Sequence, residues 1–190
     1  MNRSALALAL LLAPGCAVAQ GTGAAPGTKT VVILVRHAEK ASETENDPSL
    51  SARGRARAAA LAEALRDAGL TGAIVSERRR THETAAPAIA GIVPDTVSIR
   101  DGAAAHARAV AERIRSRHAG GTVLVVGHSN TIPAIMSALG AGPLPDICDA
   151  AYANLYIMVL DRPDAPQVMR TKFGAPDPAG ADDCPGMRAP

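Results

Sequence analysis

Apolar residues in this chain gather in short unbroken runs, and those runs alternate with segments of helical spacing. Val31-Val32-Ile33-Leu34-Val35 and Val123-Leu124-Val125-Val126 are continuous β-branched and leucine runs. Runs of that length predict strands buried on both faces of a parallel sheet. Residues 72–75 predict a shorter strand, 93–99 a short edge strand, and 155–160 and 168–173 two final strands. Between them, Ala58, Leu61, Ala62 and Leu65 recur at helical spacing, with Ser51 a suitable N-cap and Gly69 a suitable stop. Residues 77–90 predict a second helix that breaks near Pro87. Ala103, Ala107, Val110, Ala111 and Ile114 form one face of a third helix ending near Gly120, and 131–139 predict a fourth, stopped by Gly140. Residues 39–49 are polar and charged and read as a surface loop. This alternation predicts one α/β domain: a three-layer sandwich, with a mostly parallel central sheet and helices on both faces.

The two longest runs break into chemistry-bearing residues. The first ends in Arg36-His37 and the second in Gly127-His128. Open α/β sheets bind ligands just beyond the carboxyl ends of their strands. Two imidazoles and a guanidinium, distant in sequence, are therefore expected at one sheet edge. A neutral imidazole can attack a phosphorus centre, and the planar fork of Arg36 matches two phosphate oxygens. Between the runs lies Ser76-Glu77-Arg78-Arg79-Arg80-Thr81-His82-Glu83-Thr84-Ala85, which opens the second helix. A helix start favours anions, and one arginine there adds a second fork. The other two read as a solvated basic face. Gly127 lets backbone approach a ligand, and a protonated His128 would balance phosphoryl charge.

Composition narrows the field. Aromatic residues are 2% of the 190, which argues against a base-stacking surface. The formal net charge of +2 argues for neither nucleic acid nor a membrane surface as partner. His82, His106 and His118 fall on predicted helix surfaces and read as structural or solvated. Their spacing matches no metal pattern, so no metal or other cofactor is expected.

Arg36-His37 after strand one, the Arg-Arg-Thr-x-Glu-Thr-Ala stretch and Gly127-His128, in that order, resemble the histidine phosphatase superfamily, also called phosphoglycerate mutase-like. The resemblance covers about residues 31–173. It implies a phosphatase that hydrolyses phosphomonoesters, or phosphohistidine, through a phosphorylated histidine. Carried over by position, His37 is the nucleophile, while Arg36, Arg80 and His128 bind and stabilise the phosphoryl group. Ala38 and Ser129 stand where many members have Gly. Many members also protonate the leaving oxygen with a carboxylate between the arginine motif and the second histidine. Asp95 and Asp101 occupy that interval, with Asp101 preferred just before the third helix, where its alternative role is an N-cap. Glu39 is near the nucleophile. Partners implied are a small phosphorylated substrate or a phosphoprotein. Mutase activity occurs in the family, but 92–109 leaves little room for a substrate cap. The rivals are an envelope protein that keeps the fold as a non-catalytic phosphate-binding or interaction module, and a lipid-anchored structural role.

The N-terminus reads as a signal peptide over 1–19, with Asn2-Arg3, an apolar stretch from Ala5, and Ala17-Val18-Ala19 before Gln20. The expected location is periplasmic or secreted. Cys16 offers a competing reading as a lipid-modified residue. Residues 20–29 read as a flexible lead-in, 30–173 as the catalytic domain and 174–190 as a Pro- and Gly-rich tail. Cys148 and Cys184 remain after processing. In an oxidising compartment they either pair, tying the tail to a loop after the last helix, or stay as two thiols.

Overall fold

A computed structural model describes residues 29–161 and 166–184. In chain order the elements are β1 (Thr30–Arg36), α1 (Ala52–Ala64), β2 (Gly72–Val75), α2 (Arg79–Ala85), β3 (Asp95–Thr96), α3 (Ala103–Arg117), β4 (Thr122–Gly127), α4 (Thr131–Met136), β5 (Asn154–Leu160) and β6 (Gln167–Lys172). The strand order is β3-β2-β4-β1-β5-β6. The first four strands are mutually parallel, and β5 and β6 are added antiparallel. The sandwich expected from the sequence is present, with its sheet mixed at one side.

Strand periodicity divides the core. Val32 and Leu34 of β1 join Val123 and Val125 of β4 on one face, under Val110 and Ile114 of α3 and Ile132 and Ile135 of α4. Ile33 and Val35 join Leu124 and Val126 on the other, with Leu61 of α1 and Ala85 of α2. Alternate side chains point to opposite faces, so both must be apolar for helices to cover both. Burying each such side chain stabilises by about 2 kcal/mol. A one-residue slip of β1 would exchange its two apolar sets between cores of different shape, which pins the register.

Several boundaries differ from expectation. Ser51 does cap α1, its side chain accepting from the Gly54 amide at 3.0 Å, but the helix ends at Ala64 and a turn leads to Gly69. α2 stops at Ala85 rather than continuing to 90. Pro87 lacks a backbone donor, and the chain turns away to Gly91 at φ 85°. The edge strand shrinks to two residues. Gly102, at φ 87°, is the N-cap of α3, so Asp101 does not fill that role. α4 ends at Met136 and passes into a π turn over Ser137–Ala141.

The tail folds against the domain at least as far as residue 184. Asp177 accepts from the amides of Tyr152 and Ala153 at 2.9–3.1 Å and lies 3.6 Å from the buried guanidinium of Arg57. Ala181 is buried, and Cys184 forms a disulfide with Cys148. The signal-peptide and lipid-anchor readings, with Cys16, lie outside the described residues. Among the described residues no helix is long and apolar enough to cross a membrane.

Candidate active site

β1 and β4 are parallel neighbours with Arg36 paired to Gly127. The residues that follow, His37 and His128, therefore leave adjacent strand ends side by side. The His37 amide donates to Gly127 O at 2.9 Å, and the two imidazole centres stand 5.2 Å apart, edge to face. A side chain at 127 would crowd Thr131 Oγ1 and the end of Ile132 at the start of α4, and either would have to shift to admit it. Thr131 Oγ1 in turn accepts from the His128 amide at 2.8 Å.

Both rings are buried. His37 Nδ1 lies 2.8 Å from the carbonyl oxygen of Ala38. A carbonyl only accepts, so Nδ1 carries the proton and Nε2 carries a lone pair. Burial drives the pKa of His37 down to about 2, and the cations of Arg36 and Arg80 push the same way. Burial, with Arg80 next, takes His128 to about 3. Burial thus favours the neutral ring of His128 when the cleft holds no anion.

Arg36 lies under the site. Its Nη1 donates to the carbonyls of Cys148 and Asp149 at 2.8 and 2.9 Å, and that of Ala151 at 3.4 Å, while its guanidinium covers the Tyr152 ring at 4.2 Å. Arg80 comes from α2, with Nη2 3.4 Å from His128 Nδ1 and Nη1 3.6 Å from Asp47. The Nε atoms of Arg36 and Arg80 are both buried without a protein hydrogen-bond partner. Unpaired buried donors are costly in a folded protein. Both arginines line the same cleft as the two histidines, a set of cationic and hydrogen-bonding groups that suits an oxyanion. The cleft has a volume of about 890 Å³ and is lined by Arg36, His37, Lys40, Arg80, His128, Ser129 and Asn130, with Ile99, Gly102, Asp146, Cys148 and Asp149 on its walls.

The carboxylates divide differently from expectation. Asp95 pairs with Arg113 at 3.0 Å and His118 at 3.2 Å, so it is committed to a separate cluster. Glu39 takes a two-pronged bond from Arg57 and a contact from Arg53 at 2.9 Å, which makes it a brace for the loop after His37. Asp101 is exposed at the rim. Its neighbours Gly102 and Ala103 line the cleft and it does not. Asp146 and Asp149, unremarked in the sequence, do line it. His106 is buried, with Nδ1 3.0 Å from Ser98 O, rather than on a helix surface.

Sequence reasoning missed the residues that hold the site together. Thr84 Oγ1 accepts from the Ala38 amide and donates to Arg80 O, linking the loop after His37 to α2. Glu83 accepts from the Leu50 amide at 2.7 Å. Ser76 lies 3.0 Å from His128 Nε2. These residues stood inside the recognised stretch, so a signal for them existed. Tyr152 and the carbonyls around Asp149 carried none.

Fold and site together define an α/β protein with two histidines and two arginines lining one cleft at the carboxyl edge of its sheet. The chain belongs to the histidine phosphatase superfamily (branch 1), whose family model matches residues 32–102 and 93–172. No curated protein sequence matches it significantly. Among solved structures it is similar to SixA of Nakamurella multipartitia, assigned as a phosphohistidine phosphatase, at 22% identity and TM-score 0.57, covering 80% of this chain and 100% of that one. A mycobacterial glucosyl-3-phosphoglycerate phosphatase matches at 19% identity and TM-score 0.58, over 78% and 100%. A phosphoserine phosphatase of Entamoeba histolytica matches at 14% and 0.58, over 77% and 98%.

Proposed function

We propose that this protein is a phosphatase that carries the phosphoryl group on His37 and releases it to water. The observation that supports this most is the Nε2 lone pair of His37, left free by the Ala38 carbonyl at Nδ1, in a cleft also lined by Arg36, Arg80 and His128. Arg36, Arg80 and His128 hold the phosphoryl oxygens. His37 Nε2 forms a bond to phosphorus as the bond to the leaving group breaks with its electron pair. Water then attacks phosphorus, phosphate leaves and His37 returns to its neutral form. Positive charge comes from the guanidinium groups.

The leaving group's proton points to the substrate class. The carboxylates at the cleft, Asp146 and Asp149, are exposed, as is Asp101 on the rim. An alkoxide needs a proton as it departs; Asp101 is the carboxylate we assign to that role, but from the exposed rim rather than the cleft wall it gives only weak help. Aryl phosphates and phosphohistidine need less help. We therefore assign the site to good leaving groups, with phosphohistidine favoured further by the likeness to SixA. Export to the periplasm or medium, by the segment 1–19, is part of this proposal. The Cys148–Cys184 disulfide supports it, because disulfides persist in oxidising compartments.

The test is phosphate release from p-nitrophenyl phosphate, an alkyl phosphate and a phosphohistidine peptide. The aryl ester and the peptide are expected to react faster than the alkyl ester. His37→Ala should show no turnover, and His128→Ala and Arg80→Ala should each lose about a hundredfold. Binding of inorganic phosphate without release from any substrate would favour a non-catalytic phosphate-binding protein.

A further inference from the structure

Beneath the two histidines is a pair of hydroxyls with no access to solvent. Ser76 directly follows β2, Thr81 lies in α2, and both have 0% exposure. Ser76 Oγ stands 3.0 Å from His128 Nε2, 3.1 Å from Thr81 Oγ1 and 3.3 Å from the Arg78 amide. Thr81 Oγ1 stands 2.7 Å from Arg78 O and 3.0 Å from Ser76 O.

The protons in this chain can be placed by counting donors. The Thr81 hydroxyl has one proton, and two carbonyls face it. The nearer, Arg78 O, takes that proton. Thr81 Oγ1 is then an acceptor, and the Ser76 proton fills the gap between the hydroxyls. If Ser76 pointed its proton at His128 instead, two oxygen lone pairs would face each other in a dry space. With its own proton committed, Ser76 accepts from the Arg78 amide and from His128 Nε2–H. The opposite side of the ring gives the same answer independently. Arg80 Nη2 only donates, and it faces Nδ1 at 3.4 Å.

We propose that Ser76 is a positioning residue that holds His128 as its Nε2–H tautomer, keeping the Nδ1 lone pair toward Arg80 and the phosphoryl pocket. Its role in turnover rests on the phosphatase reading above, whereas the tautomer itself does not. Ser76 also remains a suitable acceptor when His128 gains a proton at Nδ1 and donates it to a bound phosphoryl oxygen. Both ring N–H groups are then satisfied, and the ring need not turn.

Histidine ring nitrogen shifts of the ¹⁵N-labelled protein test this, with the His128 signals assigned by their loss in His128→Gln. His128 should show a protonated Nε2 and an unprotonated Nδ1. Ser76→Ala should leave the ring exchanging between tautomers and lower kcat/KM on p-nitrophenyl phosphate about tenfold or more. Thr81→Val removes the acceptor of the Ser76 proton, so that proton turns to Nε2 and, against the long contact from Arg80 Nη2, the Nδ1–H population should rise. This opposite signature is one that general loosening would not produce, and it serves if Ser76→Ala fails to fold. A wild-type ring protonated at Nδ1, or an unchanged His128 tautomer in both variants, would overturn the proposal. If wild-type protein turns over no phosphate ester, the phosphatase reading fails, and the nitrogen shifts still decide the role of Ser76.

Discussion

His37 and His128 are imidazoles kept neutral by burial, and this has a consequence for stability. Their pKa values near 2 and near 3 lie far below the ordinary 6.5. In the unfolded chain both rings take up protons as pH falls below about 6.5, while in the folded chain they do not. The unfolded state then binds more protons, so stability declines with acidification, by up to about 1.4 kcal/mol per pH unit for each ring. Between pH 6.5 and 5 most carboxylates stay ionised, and His106, a third imidazole whose pKa burial lowers, is left to contribute the residual slope in the double variant. Urea midpoints should fall across this window in the wild type and fall much less in a His37→Gln, His128→Gln double variant. Equal slopes would contradict the buried neutral pair. Arg36, His37, Arg80 and His128 were legible in the sequence because each stands where an apolar run ends or a helix opens. Their supports were legible at most as members of the recognised stretch, and those outside it not at all. Which carbonyl binds Arg36 depends on a loop more than a hundred residues away, and a single hydroxyl such as Ser76 resembles any turn serine. The cap of α3 is Gly102 rather than Asp101, whose side chain stays in solvent at the rim of the cleft.

At the scale of elements, the site is a consequence of strand register and loop bracing. β1 and β4 end together, so their next residues meet. The loop leaving His37 is then pressed onto α1 at Gly54, where an added Cβ would collide with the Glu39 carbonyl oxygen. Glu39 itself is held by Arg57, which is almost fully buried. In an open helix Gly54→Ala would stabilise by nearly 1 kcal/mol through propensity. Here the collision is with backbone in a braced loop, and it should prevail. The expected result is a loss of about 1–3 kcal/mol in chemical denaturation, with reduced phosphate release because Ala38, which orients His37, moves with the loop. A more stable and equally active variant would show that the loop is slack. Element types were legible from the 2.0 and 3.6 periodicities, while ends and directions were less so. α2 is short because Pro87 follows it, and β5 and β6 carry no local sign that they run antiparallel.

The whole molecule is closed by its tail, which the sequence described only as a Pro- and Gly-rich segment with a cysteine in it. The choice between a disulfide and two thiols lay in geometry that composition does not hold. The bond joins positions separated by 36 residues, and Cys148 belongs to the loop whose carbonyls grip Arg36. Chain entropy alone would make the bond worth about 4 kcal/mol. A Cys148→Ser, Cys184→Ser variant should therefore melt at a lower temperature and require more substrate for half-maximal rate. An unchanged melting temperature and KM would detach the tail from both roles. The account's central claim concerns one atom, Nε2 of His37, as the place where phosphorus is held. Rapid quenching in base during turnover of p-nitrophenyl phosphate, followed by ³¹P NMR and peptide mass spectrometry, reads that atom directly. The account predicts phosphate on His37 as the Nε2-phosphorylated isomer, since Nδ1 is engaged by the Ala38 carbonyl. Turnover with phosphate on Nδ1, on His128 or on no histidine would contradict it.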